Sequence, residues 1–392
     1  MSEKRRNGGV HKILTGLSDQ RRRAQDEVRR DKRNQQAKRF RAADASIVDE
    51  GRDKFGQQCL LTADDYAQMS KIGTPAGQEA LKNLRRHLSR KDAPIKAIID
   101  GGVLPHLIVA LRVSDEAVQG DALWCLTNMA TGDHEDTWHV LQAAPELIHL
   151  LAGTSSSLAE HACWTLGNIA ADSDEFRMTL IANGIVQPML VLLESSVSES
   201  VSATMALSSK AQTVAWAISN LARGSTSAEH LLPSGSVPLL ISLTLHADAA
   251  LVYEMWWIFT FLTAKSVDAV NLILQHGLAN AVVAALAKAA ALTTSDVLGI
   301  SYANAPAAIV PILRTLGNLT SGPIEWIDLL LQHPQILPVL TSLTSRTSHC
   351  SNSVAFKEAL WVIRNILGKK SMLNCISSLI SNVIAPSPIL FS

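Results

Sequence analysis

Trp124 and Asn128 stand four residues apart in GDALWCLTNMATG, residues 120–132. On an α-helix that spacing puts both side chains on one face, a flat indole above a carboxamide. An amide carries donors and an acceptor, so it can hold the backbone of an extended peptide without reading that peptide's side chains. An indole face suits the methylene stem and cationic head of lysine or arginine. Repeated in register, the pair predicts a grip on an extended, basic strand.

The pair does repeat. ALWCLTNMA, ACWTLGNIA, VAWAISNLA, MWWIFTFLT, ILRTLGNLT and ALWVIRNIL align on Trp124, Trp164, Trp216, Trp256, Arg314 and Trp361, at intervals of 40, 52, 40, 58 and 47 residues. The amide falls at Asn128, Asn168, Asn220, Asn318 and Asn365; the fourth copy offers Thr260 instead, with Tyr253 where an acidic or amide residue is expected. A packed core calls for apolar residues but not for an amide held in register, which favours a binding surface built by repetition.

Positioning such pairs requires stacked helices. Each copy follows a glycine turn, a proline at a helix start and apolar residues at helical spacing, as in GGVLPHLIVALRVSDEAV, NGIVQPMLVLLES and SGSVPLLISLTLHAD. A weaker first unit, AGQEALKNLRRHLSRKDAPIKAIIDGG, precedes the first tryptophan. The period is helical throughout, and intervals near 40–47 residues suit two- or three-helix solenoid repeats. The long intervals contain ESSVSESVSATMALSS and AAALTTSDVLGISYANA, which read as loop insertions. Stacking would line the last helix of every unit into a curved wall bearing tryptophan and asparagine ladders.

Composition narrows the classes. No run of 18 apolar residues suggests a membrane span, and MSEKRRNGGVHK lacks the features of a secretory signal. Five cysteines without ligand or disulfide spacing fit a reducing compartment. The net charge of zero conceals 14 basic against 5 acidic residues in 1–41, which leaves 21 against 30 in the remainder. The two parts should attract each other or seek different partners. An enzyme is not expected: DHEDTWH lacks the HExxH spacing and a third ligand, His349–Cys350 has no orienting partner, and no phosphate-cradling GxxxxGKS/T loop occurs. No metal or other cofactor is expected.

Gly132, Thr137 and Asp172 lie at the ends of two successive ladder helices, where C-terminal carbonyls favour a cation. A lysine about 4 Å from Asp172 would gain roughly 4 kcal/mol at an effective dielectric of 20, before desolvation is subtracted.

With these residues in place, the sequence over roughly residues 12–368 resembles importin α (karyopherin α), the armadillo-repeat adaptor family that recognises lysine/arginine-rich nuclear localisation signals. The resemblance implies an all-α, right-handed armadillo solenoid of about seven repeats with a basic N-terminal helix or tail. It implies a major peptide groove of Trp124, Asn128, Trp164, Asn168, Trp216 and Asn220, with Arg223 alongside and Gly132, Thr137 and Asp172 as a lysine pocket. It also implies a minor groove of Arg314, Asn318, Glu358, Trp361 and Asn365. His161 and Ile324 depart from the family's usual residues.

QRRRAQDEVRRDKRNQQAKRFR resembles the family's importin-β-binding segment, through Arg21, Arg22, Arg23, Val28, Arg29, Arg30, Lys32, Arg33, Lys38, Arg39 and Arg41. Residues 1–41 would bind importin β, 42–75 would form a flexible linker, 76–368 the solenoid and 369–392 a short tail. The linker's reach of about 30 Å would let KRFR fold back as a weak pseudo-signal competing with cargo. The implied partners are importin β, basic signal peptides of cargo and nucleoporins, in a protein shuttling between cytoplasm and nucleus without contacting membrane or nucleic acid. The pattern ends after Trp361, so the family's last repeats, which normally contact the exportin, are missing: either the protein does not recycle by that route or the sequence is truncated or mis-spliced at its end. A rival reading is an armadillo scaffold for signalling or ubiquitin-ligase complexes; it leaves Gly132, Thr137, Asp172 and the N-terminal pattern unexplained. Direct nucleic-acid binding by 1–41 is a third, marked by steep salt dependence.

Overall fold

The computed structural model describes residues 61–90, 93–201, 209–223, 230–232, 235–264, 266–294, 305–344 and 354–369. The proposed importin-β-binding segment, most of the linker and the tail beyond Lys369 lie outside them. The chain divides into two compact units, one ending at Val140 and one starting at Leu141. No strand occurs among the described residues.

The first unit contains α1 (Ala63–Met69), α2 (Pro75–Leu88), α3 (Ile95–Asp100), α4 (Leu104–Leu111), α5 (Glu116–Met129) and α6 (His134–Leu141). Helix α1 corrects the linker boundary. Its start is closed by a capping box in which Thr62 accepts from the Asp65 amide at 3.1 Å and the Asp65 carboxylate accepts from the Thr62 amide at 2.8 Å. Met69 and Ile72 are buried, and α1 packs on α2. The polar composition that suggested a linker is that of a short helix with Ala63, Asp64 and Ala67 exposed and Met69 buried. A β-carbon on Gly77 would lie 2.1 Å from the Lys71 carbonyl oxygen, so this turn into α2 admits only glycine. Helix α5 starts on Asp115, whose carboxylate accepts from the amides of Ala117 and Val118, and it packs against both α2 and α4.

The second unit contains α7 (Ala144–Leu151), α8 (Ser156–Asp172), α9 (Asp174–Ala182), α10 (Val186–Val201), α11 (Ser209–Leu221), α12 (Ser236–Leu243), α13 (Ala249–Leu262), α14 (Val267–Gln275), α15 (Leu278–Thr294), α16 (Ala305–Ser321), α17 (Ile324–Leu331), α18 (Ile336–Thr344) and α19 (Val354–Lys369). Helices α8, α11, α13, α16 and α19 pack each on the next and form its inner row. The outer helices close the core behind them, α7 on α8, α10 on α11, α12 on α13, α15 on α16 and α18 on α19. Both expected loop insertions are helical in part: α10 runs on to Val201 and α15 to Thr294. The buried residues Met189, Leu192, Leu193 and Ser196, at three- and four-residue steps, carry α10 into the segment, and an alanine-rich sequence does so in α15.

The predicted glycine turn recurs before four of the outer helices, α4, α10, α12 and α15. Gly102 and Gly184 have φ of 78° and 81°, as do their counterparts Gly235 and Gly277 at 80° and 94°, a left-handed backbone that costs a residue with a β-carbon about 1–2 kcal/mol.

Candidate peptide-binding ladder

Every residue of the ladder sits on the last helix of a repeat, and most are nearly closed off. Trp124, Trp164 and Trp216 are only 4–6% exposed, and Asn128, Asn168 and Asn220 are buried beside them.

In the first unit the Trp124 indole N–H donates to the Ser89 hydroxyl at 2.8 Å, and the Arg85 guanidinium lies 5.3 Å from the centre of its ring. Arg85 also pairs with Asp121 at 2.6 Å, one turn before Trp124 on α5. Arg85 and Ser89 are themselves four apart and supply a rung that sequence alignment on tryptophan overlooks. The Asn128 amide donates to the Trp124 carbonyl at 3.0 Å. Gly132 is half-buried, and a β-carbon there would meet the Asp136 carboxylate at 2.2 Å. Thr137 is buried, its hydroxyl donating to the Asp133 carbonyl at 2.9 Å. Asp133 and Asp136 exchange backbone-to-carboxylate bonds of 2.9 and 3.1 Å at the start of α6. Desolvation, the largest influence, holds the Asp136 carboxyl above its ordinary range despite its bond from the Asp133 amide.

In the second unit two rungs are built by the same contacts. Trp216 on α11 lies against Gly167 of α8, where an added β-carbon would come within 2.4 Å of the ring, and Asn220 donates to the Gly167 carbonyl at 3.2 Å. Trp361 on α19 lies against Gly317 of α16 in the same way, and Asn365 donates to the Gly317 carbonyl, also at 3.2 Å. Glycine one residue before the asparagine therefore seats the next indole. The Asn318 amide likewise crosses to α13, donating to the Thr260 carbonyl at 2.9 Å and the Thr263 hydroxyl at 3.1 Å. His161 stacks beside Trp164 with ring centres 6.4 Å apart.

The fourth copy requires a correction of one residue. Trp256, the expected anchor, is fully buried and packs on Phe259, while Thr260 donates to the Trp256 carbonyl at 2.8 Å inside the core. The ladder position belongs to Trp257, which stacks on Phe261 at 5.8 Å and carries the Arg314 guanidinium 5.4 Å from its ring centre. Because each residue rotates a helix by about 100°, consecutive tryptophans cannot share a face. Phe261 thus stands where the amide is expected. Glu254, not Tyr253, takes the position three before the anchor, accepting from the Ser219 hydroxyl at 2.9 Å. Arg314 donates through Nε to Glu358 at 3.1 Å, a pair with side chains only 13% and 5% exposed.

Asp172 is the half-buried last residue of α8. The carbonyls just before it accept from two guanidinium groups: Ala170 from Arg177 at 2.6 Å, and Ala171 from Arg223 at 3.4 Å. Gly132 and Thr137 belong to the first unit and Asp172 to the second.

Among the described residues no cluster of three or more His, Cys, Asp or Glu could hold a metal ion, and no single helix is long and apolar enough to cross a membrane.

Stacked helical repeats with this inner row are those of an armadillo-repeat protein: the armadillo/β-catenin-like repeat family matches residues 91–131 and 133–171. An engineered protein of known crystal structure superposes with a TM-score of 0.64 at 23% identity, covering 83% of this chain and 72% of its own. A designed armadillo repeat protein, solved in complex with the peptide (KR)4, superposes with a TM-score of 0.52 at 22% identity over 64% of this chain and all of its own. Within that class the chain is similar to importin α subunits. It is 28% identical to importin subunit alpha-9 of Arabidopsis thaliana over 73% of this chain and 52% of that protein. It is 32% identical to importin subunit alpha-2 of Oryza sativa subsp. japonica, over 74% and 51%. Importin subunit alpha-3 of Arabidopsis thaliana, 28% identical, aligns with 92% of this chain and 65% of its own length. The chain spans about half the length of the first two of these relatives.

Proposed function

We propose that the protein is a nuclear-import adaptor that holds lysine/arginine-rich signal segments of cargo along its Trp/Asn ladder and joins importin β through residues 1–41. The observation that carries this reading is the repeated rung: indole and carboxamide recur in register on successive inner helices, and the Gly167/Trp216/Asn220 contacts recur at Gly317/Trp361/Asn365. A row of amides can hold the backbone of an extended peptide, and the indoles between them offer faces for cationic side chains. The relationship to importin α subunits supports the same assignment.

In this reading Trp164, Asn168, Trp216 and Asn220 of the second unit hold the guest and Asp172 attracts a lysine head; Trp124 and Asn128 carry the same rung in the first unit. Arg223 orients the end of α8 by holding the Ala171 carbonyl. KRFR competes intramolecularly until importin β captures the N-terminal segment, and the protein shuttles between cytoplasm and nucleus. A pull-down with importin β and a lysine-rich signal peptide, comparing wild type with Asp172→Lys, tests the assignment. The substitution should abolish peptide capture and spare importin β. Equal capture by both proteins overturns the groove, and absence of importin β binding overturns the adaptor role.

A further inference from the structure

On each inner helix of the second unit before α19, the side that meets the next repeat is closed. On α16 the residues one before, two after and six after the Arg314 anchor, Leu313, Leu316 and Thr320, are 0% exposed, as are Ala215, Ile218 and Ala222 around Trp216. The same positions on α8 and α13 are buried as well. Hydrogen bonds mark this side as the one the following helix uses: Asn318 donates to the Thr263 hydroxyl at 3.1 Å, and Asn365 to the Thr320 hydroxyl at 3.3 Å. Around Trp361 on α19, the last helix among the described residues, the three positions are Leu360, Ile363 and Leu367. They are apolar, yet Leu360 is 44% and Leu367 36% exposed, and Ile363 is half-buried. A stripe that is core on the earlier helices thus lies open along about 10 Å of α19.

The sequence that follows carries a matching pattern. Helices α8, α13 and α16 are each followed by a short helix whose third, fourth and seventh residues are buried, such as Phe176, Arg177 and Leu180 on α9 and Trp326, Ile327 and Leu330 on α17. After Asn365 the same spacing recurs one residue sooner in Met372, Leu373 and Ile376, and Leu379, Ile380, Val383 and Ile384 prolong it at helical steps. Serine and asparagine fill the opposite side of SMLNCISSLISNVI, residues 371–384, which holds no charged residue and is followed by Pro386. These residues lie outside the described ones.

We propose that residues 371–384 form an amphipathic helix that lays its apolar stripe on Leu360, Ile363 and Leu367, so that the chain covers the open edge of its own solenoid. Lys369 fixes the point from which the segment departs, its ammonium donating to the Ser321 carbonyl at 2.6 Å. Tethered within a few residues of the stripe, the segment meets it at an effective concentration of roughly millimolar, which a second copy of the chain has to outcompete. An uncharged, one-sided stripe on the segment complements three aliphatic side chains and leaves its serines and asparagines to water.

Hydrogen–deuterium exchange on the full chain tests the packing. Amides of 372–384 should exchange about tenfold or more slowly in wild type than in Leu360→Ser with Leu367→Ser, two partly exposed positions whose replacement spares the earlier core. Leu373→Ser with Ile376→Ser should lower the melting temperature as far as that pair does, and all four substitutions together no further than either pair. Sedimentation should find wild type monomeric. Exchange of 372–384 at the rate of an unstructured peptide overturns the proposal, as does protection that survives Leu360→Ser with Leu367→Ser, or additive losses in the combined variant. A wild-type dimer that Leu360→Ser with Leu367→Ser dissociates would give the stripe to a second copy and overturn it as well.

Discussion

The carboxamide of Asn220 donates to the carbonyl of Gly167 across the contact between α11 and α8, and Trp216 covers the same glycine. One residue of the earlier helix thus receives both ladder side chains of the later one. The amide register therefore has a packing cause beside its proposed role in binding. Asn318 and Asn365 tie their helices to the preceding ones in the same manner.

Gly167→Ala tests the seat. Its methyl would enter within 2.4 Å of the Trp216 ring, and overpacking of this kind costs about 1–3 kcal/mol. Urea denaturation should show that loss, and the intrinsic tryptophan emission should shift. A midpoint equal to wild type refutes the contact.

Asn220→Ala should lower stability by about 1 kcal/mol, the worth of one hydrogen bond, and should also weaken capture of a basic peptide. Denaturation and fluorescence anisotropy on the same sample separate the two effects. Lost stability with unchanged peptide affinity would reduce the amide to a tie between helices.

Arg314 and Glu358 form a largely buried pair. Removing either partner alone leaves a buried charge, at a cost of about 3–5 kcal/mol, whereas Arg314→Met with Glu358→Met should cost much less. A double-mutant cycle followed by thermal unfolding measures the difference, and additive losses would deny the coupling.

Burial raises the Asp136 carboxyl above its ordinary value, so ionising it costs the folded state more than the unfolded chain. The sign follows: that cost is absent at pH below the unfolded carboxyl's value and grows as pH rises through the folded one. Asp136→Asn should remove this component while keeping an acceptor for the Asp133 amide. Melting temperatures measured across the acidic range should then fall less steeply with rising pH in the variant than in wild type; parallel curves would contradict the shift.

Cys125 and Cys163 are fully buried, and desolvation raises both thiols far above their usual value. Iodoacetamide should label them only after unfolding, as read by peptide mass mapping. Rapid labelling of the native protein would place them at an accessible surface.

The helical period, the repeat spacing, the turn glycines and the tryptophan–asparagine spacing of four are local features, and they were legible in the sequence because a helix converts spacing directly into shared faces. That sufficed for an all-helical solenoid of stacked repeats, while the armadillo class came from the resemblance. The consecutive tryptophans at 256 and 257 were not resolvable, since either fits an apolar helical stretch; only packing against Phe259 or Phe261 distinguishes the core residue from the ladder residue. Nor could the chain order of residues reveal that Arg85 lies over Trp124, that Arg314 bridges Trp257 and Glu358, or that Lys369 closes on the end of α16. Those partners are 39–57 residues apart, and they meet only because consecutive inner helices stack. Spacing along one helix determined which side chains share a face; contact between helices decided which of them are spent on each other.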